Sequence, residues 1–212
     1  MKLNTKWMGW IVAAGSIGFM MLSGFQPAQE KTGVVDLNRV LNESDRGRKA
    51  NQDLQNALAV REDLLNFVNT YRILTLDQAA KLRELSLKPT PTEADKAEIE
   101  KIKKEVIDSD KRRNEILQKT NQTEAEQMAL RDFADRARTV AERILPRWDQ
   151  EMQGEMSQLE TKLRQETLEA ARLALRDTAK TQGFTVVIES TVAPYGANDL
   201  TEPTIKTMNA KR

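Results

Sequence analysis

Lys119-Thr120-Asn121-Gln122-Thr123-Glu124-Ala125-Glu126 is the turn on which the fold depends. A long charged run ends just before it, and a longer one begins inside it. Thr123 and Glu126 have capping-box spacing. The Thr oxygen accepts from the N–H three residues on, and the acidic side chain accepts from the Thr N–H. A helix entering this stretch therefore stops, and a second helix leaves it. The same spacing occurs at Thr75 with Gln78 and at Thr92 with Asp95. Lys88-Pro89-Thr90-Pro91-Thr92-Glu93-Ala94-Asp95 resembles the turn at 119–126, either as a small internal repeat or as a shared turn-plus-cap solution.

Working outward, the only glycine between Gly47 and Gly183 is Gly154, and the prolines there are Pro89, Pro91 and Pro146. So few breakers in a charged stretch predict long helices. The caps divide it into an outgoing helix from about Arg39 to Ile73, a short one from Leu76 to Leu87, a third from Glu93 to Lys119, and a return helix from Glu124 to Gln182. At the α-helical rise the first, third and last are roughly 52, 40 and 88 Å long. The first two together nearly equal the last. They are expected end to end along it, with the short helix at their junction, as an elongated helical hairpin or arm.

The seam of this arm is imperfect. Leu54, Leu58, Leu65 and Val68 follow heptad positions, but Arg61 and Arg72 occupy the intervening ones. On the return helix Ile144, Trp148, Met152, Met156, Leu159 and Leu163 recur at steps of three and four, which is one helical face. Pro146 interrupts that stripe and should kink the helix, because it lacks an N–H and clashes with the preceding turn. A weak seam and a kink predict an arm that flexes.

Two segments of different character bracket the helices. Thr32–Leu37 and Phe184–Val192 are rich in β-branched residues, and Gly183 supplies a helix stop before the second. Both read as strands at the base of the arm. Two short strands are marginal alone, so pairs from several chains are expected to join into a larger sheet or barrel. The fold class is mainly α with a small β body: a long, coiled-coil-like helical hairpin on an oligomeric β-barrel base. Residues 29–38 and 183–212 form that body with a short C-terminal helix, and 39–182 form the arm, with extra tip helices around 75–120. Val34, Val35, Leu37, Val186, Val187 and Ile188 are the candidate oligomerisation-strand residues.

The chain of 212 residues carries 33 basic and 32 acidic side chains, a formal charge of +1, which gives no field for holding nucleic acid. With no Cys and no His, thiol catalysis, disulfides, Cys or His zinc sites and Ser-His-Asp chemistry are excluded. No Gly-rich phosphate loop is present, and no cofactor or metal is implied. Lys2 and Lys6 precede an uncharged run from Trp7 to Leu22, with no acidic residue before Glu30. This matches a secretory signal peptide over residues 1–28 with Ala28 before the cut, and hence a periplasmic location. The competing reading is a retained inner-membrane anchor, since the run reaches Phe25 and approaches the ~20 residues that span a bilayer.

The order of short motifs resembles the Skp/OmpH family of periplasmic chaperones. It rests on Val34-Val35-Asp36-Leu37-Asn38-Arg39-Val40-Leu41 followed by Gly47-Arg48-Lys49-Ala50, then Phe184 through Ile188, Tyr195, and Asp199-Leu200-Thr201 opening a short C-terminal helix. The resemblance implies a homotrimer with a β-barrel body and three helical tentacles. It implies a holdase that keeps unfolded outer-membrane proteins from aggregating in transit, without ATP. The sequence departs from the family in its extra capped helices, in Pro194 and in its near-neutral charge.

A holdase needs many weak contacts, which adaptable Met side chains suit. Trp148, Met152 and Met156 are the client-contact candidates, and Phe67, Tyr71 and Phe133 share their ambiguity. The simpler reading of all six is packing against the opposite helix. Lys101, Lys103, Lys104, Lys111, Arg112 and Arg113 would attract acidic clients or an anionic membrane surface. Glu98, Glu100, Glu105, Asp108 and Asp110 interleave with them, which favours a solvated face of intrahelical pairs. The alternative to a holdase is a membrane-anchored, stator-like coiled coil of the envelope. No constellation of residues supports an enzyme.

Overall fold

The computed structural model describes residues 31–194, 196 and 198–210. The signal or anchor expected at 1–28 and the motif residue Tyr195 lie outside the described residues, as do 29–30 and 211–212 at the edges of the expected body.

Strand β1 (Thr32–Val35) leads at once into helix α1 (Leu37–Glu43), because the Asp36 side chain accepts from the Arg39 N–H at 2.9 Å and caps it. Leu37, expected in the strand, is therefore the first helical residue. The single outgoing helix expected from Arg39 is also divided. Ser44 is extended (φ −68°, ψ 154°) and opens helix α2 (Asp45–Tyr71) by accepting from the Gly47 N–H at 3.1 Å. A Cβ at Gly47 would lie 1.6 Å from the Leu41 carbonyl oxygen. Only glycine lets α1 cross so close to the start of α2.

Helix α2 ends at Arg72 in the left-handed conformation (φ 47°). Helices α3 (Leu76–Ser86), α4 (Glu93–Leu117) and α5 (Glu124–Thr139) follow, and each opens with both hydrogen bonds of a capping box, at Thr75, Thr92 and Thr123. The return helix is interrupted. Val140–Ile144 form a π-helical segment in which the Leu145 N–H donates to the Val140 carbonyl, and helix α6 (Leu145–Gln182) continues from it. Pro146 thus sits in the first turn of α6, where its missing N–H costs least. A wider π turn lies immediately ahead of Pro146, and both features are sites at which helices bend. Gly183, left-handed at φ 72°, closes α6.

Strand β2 (Val186–Glu189) pairs in parallel with β1, in the register Thr32 to Val186 through Val35 to Glu189. Both strands are shorter than expected. On the other side of β1, the Val34 N–H donates to the Asn198 carbonyl and the Leu200 N–H to the Val34 carbonyl, both at 2.8 Å. Helix α7 (Thr201–Ala210) then lies against α6. Val35, Val40, Ala171, Ala174, Ile205 and Met208 make the core of this base.

A second core lies at mid-arm. Leu64 and Val68 of α2, Ala79 and Leu82 of α3, Ile102 and Val106 of α4, Phe133, Val140, Trp148 and Met152 form one cluster. Four helical layers meet here, so α4 does not simply continue where α2 stops. Its middle lies beside the end of α2, with the Lys103 ammonium 5.9 Å from the Phe67 ring, and Glu105 accepts from Gln78 of α3 at 3.2 Å. The expected end-to-end stacking becomes an overlap, and α3 is a mid-arm helix rather than a tip helix. The tip is the turn between α4 and α5, where the Gln122 side-chain amide donates to the Ile116 carbonyl at 3.0 Å.

Candidate functional site

Three surfaces are available: the arm's seam, its exposed apolar side chains, and the free edge of the base sheet. The apolar stripe of α6 divides between the first two. Trp148 and Met152 are 7% and 3% exposed within the mid-arm core, while Met156, Leu159 and Leu163 are only half-buried. The first two client-contact candidates therefore pack inside the protein, and Met156 remains partly accessible. Phe133 is buried at 8% exposure, and Phe67 and Tyr71 lie half-buried with ring centroids 4.9 Å apart.

Arg61, read as a flaw in the heptad, occupies the seam. Its side chain is 16% exposed and its guanidinium pairs with Glu155 at 3.0 Å. Glu155 also accepts from Arg83 at 3.2 Å; Arg83 pairs with Glu151, and Glu151 with Arg147 at 2.7 Å. This ladder ties α2, α3 and α6 together around an open groove of about 670 Å³ floored by Trp148 and Ile144. Arg83 lies over the Trp148 ring at 5.5 Å, combining ion pairing with a cation–π contact. Arg147 and then Arg83 hold the Glu151 carboxyl below the usual range by hydrogen bonding to its charged form. The spacing of Arg147 and Glu151 was readable as an intrahelical pair; the partners on α2 and α3 were not.

The basic run on α4 is a solvated face. Lys101 pairs with Glu98 and Lys103 with Glu100 at 3.4 and 3.3 Å, while Lys111 pairs with Asp108 and Arg113 with Asp110 at 3.4 and 2.7 Å. Exposed apolar side chains are scattered along the arm instead: Leu58 at 46%, Leu76 at 65%, Leu117 at 58% and Met128 at 68% exposure. Single exposed apolar residues are common on folded proteins, so their number along one thin arm carries the interest rather than any one of them.

At the base, Val34 and Val35 are buried at 8% and 2% exposure, Val187 and Ile188 are half-buried, and Val186 is 44% exposed. Leu37, as a helical residue, packs against the base core. Strand β1 is flanked on both sides, by β2 and by residues 198–200, but among the described residues no strand pairs with the far edge of β2. No group of acidic side chains that would hold a metal occurs among the described residues. No helix of the described residues is long and apolar enough to cross a membrane.

A family model described as "Outer membrane protein (OmpH-like)" matches residues 31–208. No curated protein and no solved structure matches the chain.

Proposed function

The chain belongs to the OmpH-like family, whose members are periplasmic chaperones of outer-membrane proteins rather than enzymes, and from that premise we propose that it is an ATP-independent holdase. It binds unfolded outer-membrane proteins in the periplasm and keeps them from aggregating in transit. The observation that carries this reading is the arm itself. It is long, its seam is half-buried over part of its length, and it displays Leu58, Leu117 and Met128 among paired charges. Dispersed contacts of this kind hold many sequences weakly, whereas an enclosed pocket selects one.

The proposal includes assembly into a homotrimer through the base. The edge of β2 that has no partner among the described residues supports it, because an exposed strand edge is a template for another chain, and Val186 would be covered by the union. A closed barrel of strands from three chains would leave no edge. Mature protein, added without nucleotide to an unfolded β-barrel client diluted from denaturant, is expected to suppress light scattering by the client. It is expected to run as a trimer in light-scattering mass measurement. A client that aggregates as fast with the protein as without it refutes the holdase reading, whatever the oligomer.

The anchored, stator-like alternative requires the segment from Trp7 to Leu22 to be retained, and it gives the parallel strands and α7 no task. N-terminal sequencing of the chain recovered from the envelope separates the two: a start near Gln29 fits the holdase, and Met1 fits the anchor.

A further inference from the structure

The near-zero charge of the whole chain is repeated in each helix of the arm. Helix α2 carries four basic and four acidic side chains, and α3 carries two of each. Helix α4 has seven basic and eight acidic, α5 three and four, and α6 six and seven. Each of these helices therefore lies within one charge of neutral. The balance of the chain is not the sum of a basic arm and an acidic base.

The opposite signs are also close together. Along α4, Lys103 lies 3.3 Å from Glu100 and Arg113 2.7 Å from Asp110. Between helices, Arg61 and Arg83 meet Glu155 of α6 at 3.0 and 3.2 Å. These separations are well inside the screening length of about 8 Å at physiological salt, so at the distance of an approaching chain the two signs of a pair largely cancel. Each of the same helices exposes a large apolar side chain: Leu58 and Val60 on α2, Leu76 on α3, Leu117 on α4, Met128 on α5 and Leu173 on α6, between 40% and 68% exposed. One such residue is ordinary on a folded protein. On every helix of an electrically balanced arm, they leave apolar contact as the attraction offered along its length.

We infer that the arm captures unfolded chains by their apolar side chains and without regard to their net charge, so that it holds basic clients as well as acidic ones. This names the client class of the proposed holdase and rests on that reading. Electrostatic steering needs a surface of one sign, and the faster encounter it brings falls off steeply with salt. An arm of one sign would also repel clients of the same sign, whereas a balanced arm excludes neither.

The test titrates mature protein, without nucleotide, against one fluorescently labelled, unfolded β-barrel client in two forms. One form is acidic; in the other, enough carboxylates are replaced by amides to make it equally basic. The two dissociation constants are expected to agree within about threefold, and each to change by less than about threefold between ~50 and ~500 mM NaCl. A larger preference for either form at low salt, lost at high salt, overturns the inference. If neither form binds at any salt, the holdase reading itself falls and the inference with it. Glu98→Gln with Glu100→Gln and Asp108→Asn unbalances α4 at solvated positions. This variant is expected to gain a preference of about tenfold for the acidic form at ~50 mM salt. Leu117→Ser with Met128→Ser is expected to weaken both forms by the same factor, about threefold or more. A charge variant that gains no preference, or an apolar variant that weakens one form alone, likewise overturns the inference.

Discussion

Gly47 and Asp95 show how single residues decide local geometry. Gly47 was visible in the sequence as part of a short motif, but its reason was not, since the 1.6 Å approach to the Leu41 carbonyl appears only once α1 folds across α2. Gly47→Ala must push backbone apart and is expected to destabilise the protein by about 3 kcal/mol, measured by denaturant unfolding. Asp95 was legible as a capping residue from its distance to Thr92. Its carboxyl is pulled down to about 2, first by the hydrogen bond from Lys88, at 2.6 Å, and then by the Thr92 N–H. A folded value below the ordinary 3.8 means that Asp95 contributes stability at all pH above 3.8, a contribution lost as pH falls through about 2. Carbon chemical shifts followed against pH should place the Asp95 midpoint near 2, and Lys88→Ala should move it upward. Lys88 itself was unreadable as the partner, because the link across the Pro89–Pro91 turn depends on how the turn folds.

Among the elements, the helix starts at Thr75, Thr92 and Thr123 were legible because capping is local chemistry spanning only four residues. The break at Ser44 carries the same kind of signal in weaker form: Ser44 caps without an acidic or amide residue three places later, and its partner is the Gly47 N–H. The π segment had no signal beyond Pro146. Where α3 docks was also hidden, because its apolar positions reveal a face and not the surface that face meets. That face is deeply used: Leu82 is fully buried, with Ala79 and Leu85 at 1% and 2% exposure. Leu82→Ala should cost about 2–5 kcal/mol by transfer and cavity terms and loosen α3 from α2 and α6. Thr75→Ala removes the cap alone and should cost about 1 kcal/mol. Thermal unfolding followed by circular dichroism separates the two magnitudes.

For the whole molecule, the sequence made an arm on a β base legible through breaker spacing and two β-branched segments. It left unread the parallel pairing, the third segment at 198–200 and the split into two cores, all of which depend on contacts between distant residues. Assembly can be tested at the free edge of β2. Val186→Asp places a charge on an exposed strand position that needs no rearrangement within one chain, yet would be buried in a shared sheet. The variant is expected to keep its helical circular dichroism and to lose the proposed trimer in mass measurement. The parallel pairing of Thr32 with Val186 also bears on when the molecule can exist at all. One half of the base is made before the arm and the other after it, while every arm helix forms from neighbours in sequence. A chain broken off before β2 lacks the partner of β1, so the base sheet forms only once synthesis has passed Glu189.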